Sequence, residues 1–162
     1  RSTSDLAKLP IPTLKNTFQG GAYLEYAWTR ELTTGLRLRY DLNGTRGAYA
    51  DLYAEIDLPA PEPFSHSLRL AAEAMNATAM GRFFGLSALT ATGLGVAPYQ
   101  PGGGLSRYAL TYDGFIPTSE HTGIAFAATI GKLTGRAADS PLVRNFGSAS
   151  QKDFMAAFVV HF

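Results

Sequence analysis

The chain contains no cysteine, so it has neither a disulfide framework nor a thiolate metal site. No run of eighteen apolar residues occurs either, which excludes a membrane-spanning helix. Charge is sparse: Asp, Glu, Lys and Arg make up 17% of the 162 residues, with a net charge of +1. Such a balance argues against a nucleic-acid footprint, and no nucleic-acid partner is expected. The first residue is Arg1, with no initiator methionine or apolar signal segment before the first strand pattern. The expectation is that a leader and more have been removed, or that the chain is the C-terminal piece of a longer protein.

What the chain has is alternation. Seven stretches read as strands, roughly 18–29, 33–43, 46–58, 64–75, 105–115, 121–131 and 150–162. They exceed the five or six residues of an ordinary soluble strand. In the second, Thr34, Leu36, Leu38, Tyr40 and Leu42 oppose Gly35, Arg37, Arg39 and Asp41. In the third, Ala48, Ala50, Leu52, Ala54, Ile56 and Leu58 oppose Tyr49, Asp51, Tyr53, Glu55 and Asp57. The last sets Phe154, Ala156, Phe158, Val160 and Phe162 against Asp153, Met155, Ala157, Val159 and His161. Strict alternation puts different solvents on the two faces of a strand.

Nearly every strand charge falls on one parity. A Lys or Arg facing hydrocarbon at mid-membrane costs roughly 2–4 kcal/mol, which explains such segregation. Tyr23, Tyr26, Trp28, Tyr40, Tyr108, Tyr112 and Phe115 lie toward strand ends, where aromatic girdles are expected. The fold expected is therefore all-β, an antiparallel up-and-down transmembrane barrel of the outer-membrane type. A soluble sandwich with one wet face is the alternative. It accounts poorly for the strand length and the glycine-rich outward surface.

The connections agree. With a periplasmic C-terminus, 76–104 and 132–149 become long extracellular loops, while 59–63 and 116–120 become short periplasmic turns. A three-residue turn, Gly44 to Arg46, pairs Asn43 with Gly47 and so sets Arg39 directly opposite Asp51. The single barrel domain thus comprises a loop over 1–17, four strands over 18–75, a hairpin over 105–131 and a terminal strand over 150–162. Seven strands is an odd number, and bacterial single-chain barrels have even counts of eight or more. Upstream strands are expected to be missing.

The second half carries a family resemblance. Phe83-Phe84-Gly85-Leu86-Ser87 opens the long loop, followed by Thr92-Gly93-Leu94, Pro98-Tyr99 and Pro101-Gly102-Gly103-Gly104-Leu105. Later comes Lys132-Leu133-Thr134-Gly135-Arg136-Ala137-Ala138-Asp139-Ser140-Pro141-Leu142-Val143-Arg144. This order resembles the MipA/OmpV family of outer-membrane proteins, with their Phe-Gly-Val-Ser and Leu-x-Gly-Asp-Ala-Ala-Asp-Ser-Pro-(Ile/Leu)-Val segments. Arg136 departs from the pattern, which usually has Asp there. The resemblance implies a barrel of about twelve strands and places the chain in the bacterial outer membrane. It also implies a non-enzymatic scaffold that links a murein transglycosylase to a murein synthase. A small-solute channel, or a porin-like or adhesion protein, is the alternative. The terminal row Phe154, Phe158, Val160 and Phe162 resembles the signal read by the barrel-assembly machinery, so that machinery and outer-membrane lipid are expected partners.

Candidate chemistry is thin. Asp139 and Ser140 with His121 or His161 invite a hydrolase reading, but topology sets these histidines at the opposite end of the barrel from Ser140. The segment Ala138-Asp139-Ser140-Pro141, with Arg144, reads better as a structured turn. His66, His121 and His161 show no ligand spacing, and no cofactor is expected. Gly102-Gly103-Gly104 lacks the Lys-Ser/Thr of a phosphate cradle. The inward charges Arg37, Arg39, Asp51, Glu55, Asp57, Arg69, Glu73, Arg107 and Asp113 either line a selective pore or neutralise one another, and their interleaved signs favour the network. Gly123, Ala125, Ala127, Thr129, Ala157 and Val159 are small or apolar inward residues. They suggest that the loop around Phe83 to Leu86 folds in against strands six and seven.

Overall fold

A computed structural model describes residues 16–160; most of the 1–17 loop, together with His161 and Phe162, lies outside the described residues. Seven antiparallel strands form one sheet in chain order: β1 (Gln19–Ala27), β2 (Leu32–Asp41), β3 (Ala48–Asp57), β4 (Ser65–Met75), β5 (Gly104–Pro117), β6 (Thr122–Leu133) and β7 (Ser150–Val160). Each expected strand is present, and the ends that fall within the described residues are displaced by at most two residues. Their lengths, from 9 to 14 residues, suit the 9–11 that a tilted strand needs to cross a bilayer. Among the described residues no helix is long and apolar enough to cross a membrane. The sheet is open, with β1 and β7 at its edges.

Its two faces differ as the alternation predicts. Even-numbered Leu36, Leu38, Tyr40, Leu52, Ile56, Leu70, Ile116, Ile124, Ile130, Phe154, Phe158 and Val160 are all exposed. Odd-numbered Gly35, Asp41, Tyr49, Tyr53, Ser67, Ala109 and Gly123 are buried. An apolar surface of this extent is what water forbids and lipid rewards. Phe154 is 76% and Phe158 67% exposed, so the described part of the terminal row faces outward. Phe115 departs from the expected girdle: its odd number puts it on the inner face, and it lies over Gly123. Tyr23 likewise has inner parity, opposite Arg37.

The first long hairpin corrects the expected register. Asp41, not Asn43, pairs with Gly47 through a 2.8 Å bond from the Asp41 amide to the Gly47 carbonyl. Arg37 therefore lies directly opposite Asp51, and Arg39 opposite Tyr49. The turn spends five residues because Gly44 and Arg46 both take positive φ, at 85° and 55°. A shift of two keeps every side chain on its face.

The 76–104 segment is not a plain loop. It carries α1 (Ala77–Phe84) and α2 (Ala88–Leu94), each started by a side-chain cap. Asn76 Oδ1 accepts from the Ala79 amide at 2.8 Å, and Ser87 Oγ from the Thr90 amide at 3.2 Å. The 132–149 segment likewise holds α3 (Gly135–Ala138) and a wide turn, Leu142–Phe146.

Candidate functional site

Two neighbouring constructions make up the site: a charge network on the inner face and a cap at the end where α1, α2 and α3 gather. In the network, Arg39 reaches Asp51 at 3.0 Å along the diagonal, although the two are not direct partners. Arg69 pairs with Glu55, Ser67 Oγ bridges Glu55 (2.9 Å) and Asp113 (3.0 Å), and Arg107 approaches Glu73 at 3.8 Å. Seven of the nine inward charges are thus joined across β2, β3, β4 and β5, and Asp57 is exposed near the end of β3. Arg37 is exposed beside Asp51.

Two contacts skip a strand, and a glycine permits each. Tyr53 on β3 crosses β2 above Gly35, and its hydroxyl donates to Glu25 on β1. Arg107 on β5 crosses β6 above Gly131 and meets Asp153 on β7 at 3.5 Å. A Cβ at either glycine would occupy the space of the crossing side chain. Arg69 also lies 4.8 Å over the Tyr53 ring, a cation–π contact that adds to the tie. Tyr53, Glu25 and Asp153 were not among the residues singled out from sequence. The glycines signal them only once the register is known.

The cap is anchored by a buried carboxylate. Asp41 is 1% exposed and accepts from Gln19 Nε2 (2.8 Å), Thr45 Oγ1 (2.6 Å) and Tyr49 Oη (3.3 Å). Arg82 on α1 completes its shell at 3.1 Å. Asn76 Nδ2 meanwhile donates to the Arg46 carbonyl, tying the start of α1 to the β2–β3 turn. Behind this, Met80, Leu133 and Ala137 form a small buried cluster, with Met75, Phe84, Ala138, Val143 and Ala149 around it.

The long segment therefore does fold in, but against the end of β6 and α3. Phe84 packs on the cluster, and Phe83 turns to Tyr49, ring centroids 6.3 Å apart. Above the glycines of β6 lie Phe115, over Gly123, and Arg107, over Gly131.

The residues of the second loop motif act as its lock. Ser140 is fully buried, donates to the Phe84 carbonyl at 2.7 Å and accepts from the Leu142 amide at 3.3 Å. Asp139 caps α3 and is exposed, Pro141 opens the wide turn, and Arg144 is exposed at its end. Arg136 donates to the Gly103 carbonyl (2.9 Å) and fits over Gly102, while its own carbonyl accepts from Tyr99 Oη (2.8 Å). The glycine run is thus a slot for an arginine.

His66 sits at the opposite end of the sheet. Nε2 lies 3.2 Å from the Pro59 carbonyl, which only accepts, so this nitrogen is the donor of that bond. Nδ1 and Tyr112 Oη share a hydrogen bond at 2.9 Å. Ser140 and His121 stand at opposite ends of β6, His121 in the β5–β6 turn and Ser140 beyond α3, so the two do not form a hydrolytic pair.

An up-and-down meander with an apolar outer face, a cross-linked polar inner face and a folded cap defines a β-barrel wall of the outer-membrane type. The sequence model of the family described as MltA-interacting protein MipA matches residues 1–162, and the chain belongs to that family. Comparison with curated proteins and with solved structures returns no match.

Proposed function

We propose that the protein is a non-enzymatic wall of the bacterial outer membrane, one that holds a murein transglycosylase and a murein synthase beneath it. The observation that carries this reading is the family match over residues 1–162, whose description names an interaction with MltA. The site supports it physically. The one serine of the loop motif with a candidate acid beside it spends its hydroxyl on the Phe84 carbonyl, and most of the inner charges pair with one another.

With the cap outside, the turns 28–31, 58–64 and 118–121 face the periplasm, where a murein enzyme works. Arg30, Glu31, Glu62, Glu120 and His121 are exposed on this rim. They are the contact surface proposed for the enzyme. Further strands, or the edge of a second wall, close β1 and β7. The test is retention of purified transglycosylase and synthase on the immobilised full-length protein in detergent. Capture of either, weakened when Glu31, Glu62 and Glu120 are replaced by Lys, supports the scaffold. A folded wall that retains neither removes it.

The polar inner face favours a second reading, a narrow small-solute channel. Unitary currents in a planar bilayer whose selectivity changes on Arg39→Glu would establish it; a silent wall leaves the scaffold.

A further inference from the structure

The outer face breaks its own rule at two neighbouring places. Among the described strand residues, every Asp, Glu and Arg has inner parity, from Glu25 on β1 to Asp153 on β7. Lys132 on β6 and Lys152 on β7 have outer parity. Both are exposed, and both sit at the cap end of their strands. Lys152 pairs with Ile130 and Lys132 with Ser150, so the two lysines are diagonal neighbours, roughly 7–8 Å apart by sheet geometry. Tyr108, also outward and exposed, is the partner of Lys132 on β5. No acidic side chain shares their face among the described strand residues.

A lysine near the membrane interface is cheap compared with one at mid-membrane, and a single one would simply reach toward water. Two like charges side by side repel, unless an anion lies between them. Lys is a compact point charge well suited to phosphate. Below the lysines the wall sets large against small, Phe154 against Ala128 and Ala156 against Phe126, before Phe158 meets Ile124. This relief offers shallow tracks for acyl chains. We infer that Lys132 and Lys152, with Tyr108, hold a phosphate of an anionic lipid in the leaflet on the cap side, its chains lying along β6 and β7. The inference rests on the membrane-wall reading above.

The test uses the full-length protein in lipid nanodiscs, probed with diphosphoryl lipid A and with the same lipid after phosphatase treatment. Insertion is checked first by heat-modifiable mobility; failure to insert would strike the membrane-wall reading itself. For inserted protein, the phosphorylated lipid should bind about thirtyfold tighter than the dephosphorylated one, given the attraction of two interfacial lysines. The preference should vanish in Lys132→Gln/Lys152→Gln and persist in Lys132→Arg/Lys152→Arg. Equal binding of the two lipids by the unaltered protein overturns the proposal. So does a preference that survives the double glutamine change, or displacement of the lipid by millimolar inorganic phosphate.

Discussion

Asp41 is the residue on which the cap depends. Its carboxylate gathers Gln19, Thr45, Tyr49 and Arg82 from β1, the β2–β3 turn, β3 and α1. Asp41→Ala would remove the carboxylate that the mostly buried Arg82 guanidinium meets at 3.1 Å, together with the acceptor of Gln19, Thr45 and Tyr49, a loss of about 3 kcal/mol. Thermal unfolding in micelles should register it, and limited proteolysis should cut within 76–103 while the strands stay protected. An unchanged cap would show that α1 is held by Met80 and Phe84 alone. Gly35 is as exacting for the opposite reason, since any side chain there displaces the Tyr53 ring from its path to Glu25. Gly35→Leu should cost about 1–3 kcal/mol in denaturant titration, with Gly81→Ala as the control for a glycine that has open space around it and no positive φ. Neither role could be read from sequence. Asp41 was legible as an inward charge, but its partner Arg82 lies 41 residues away in a segment whose helices the alternation does not announce.

At the scale of elements the strands were legible and the connections were not. Period-two alternation over ten residues survives any tertiary context that keeps one face in lipid, so each strand and its facing could be read directly. Register was missed by two because it is set inside a turn, by the positive φ of Gly44 and Arg46 and by the grip of Asp41 on Thr45. The caps of α1 and α2 are single side chains, Asn76 and Ser87, which strand alternation does not register. The Ala138 to Arg144 motif was recognised, but its work, locking one loop on the other, shows only in the Ser140 to Phe84 bond. Ser140→Ala leaves a buried carbonyl unpaired and should loosen both loops by about 1–3 kcal/mol. Faster hydrogen exchange in 77–94 and 135–146 together is the expected signature. Exchange confined to one loop would contradict the lock. On β7, Phe154→Asp should block membrane integration while Met155→Ala, on the inner parity, is tolerated.

For the whole molecule the central claim is that even-numbered strand residues face lipid and odd-numbered ones do not, save at the start of β5, where a bulge buries Ser106 and pairs Leu105 with Ala74. The chain has no cysteine, so single cysteines report without background. Neighbouring pairs on β2, β3, β4 and β7, namely Leu36 and Arg37, Asp51 and Leu52, Leu70 and Ala71, and Asp153 and Phe154, sample both faces. In vesicles of the full-length protein, fluorophores on Leu36, Leu52, Leu70 and Phe154 should be quenched by spin-labelled acyl chains. Those on Arg37, Asp51, Ala71 and Asp153 should resist that quencher and respond to an aqueous one. This two-residue period of quenching is the result the account predicts. Aqueous quenching at the even positions, or no period at all, would contradict a membrane wall and leave a soluble sheet with an unexplained apolar face.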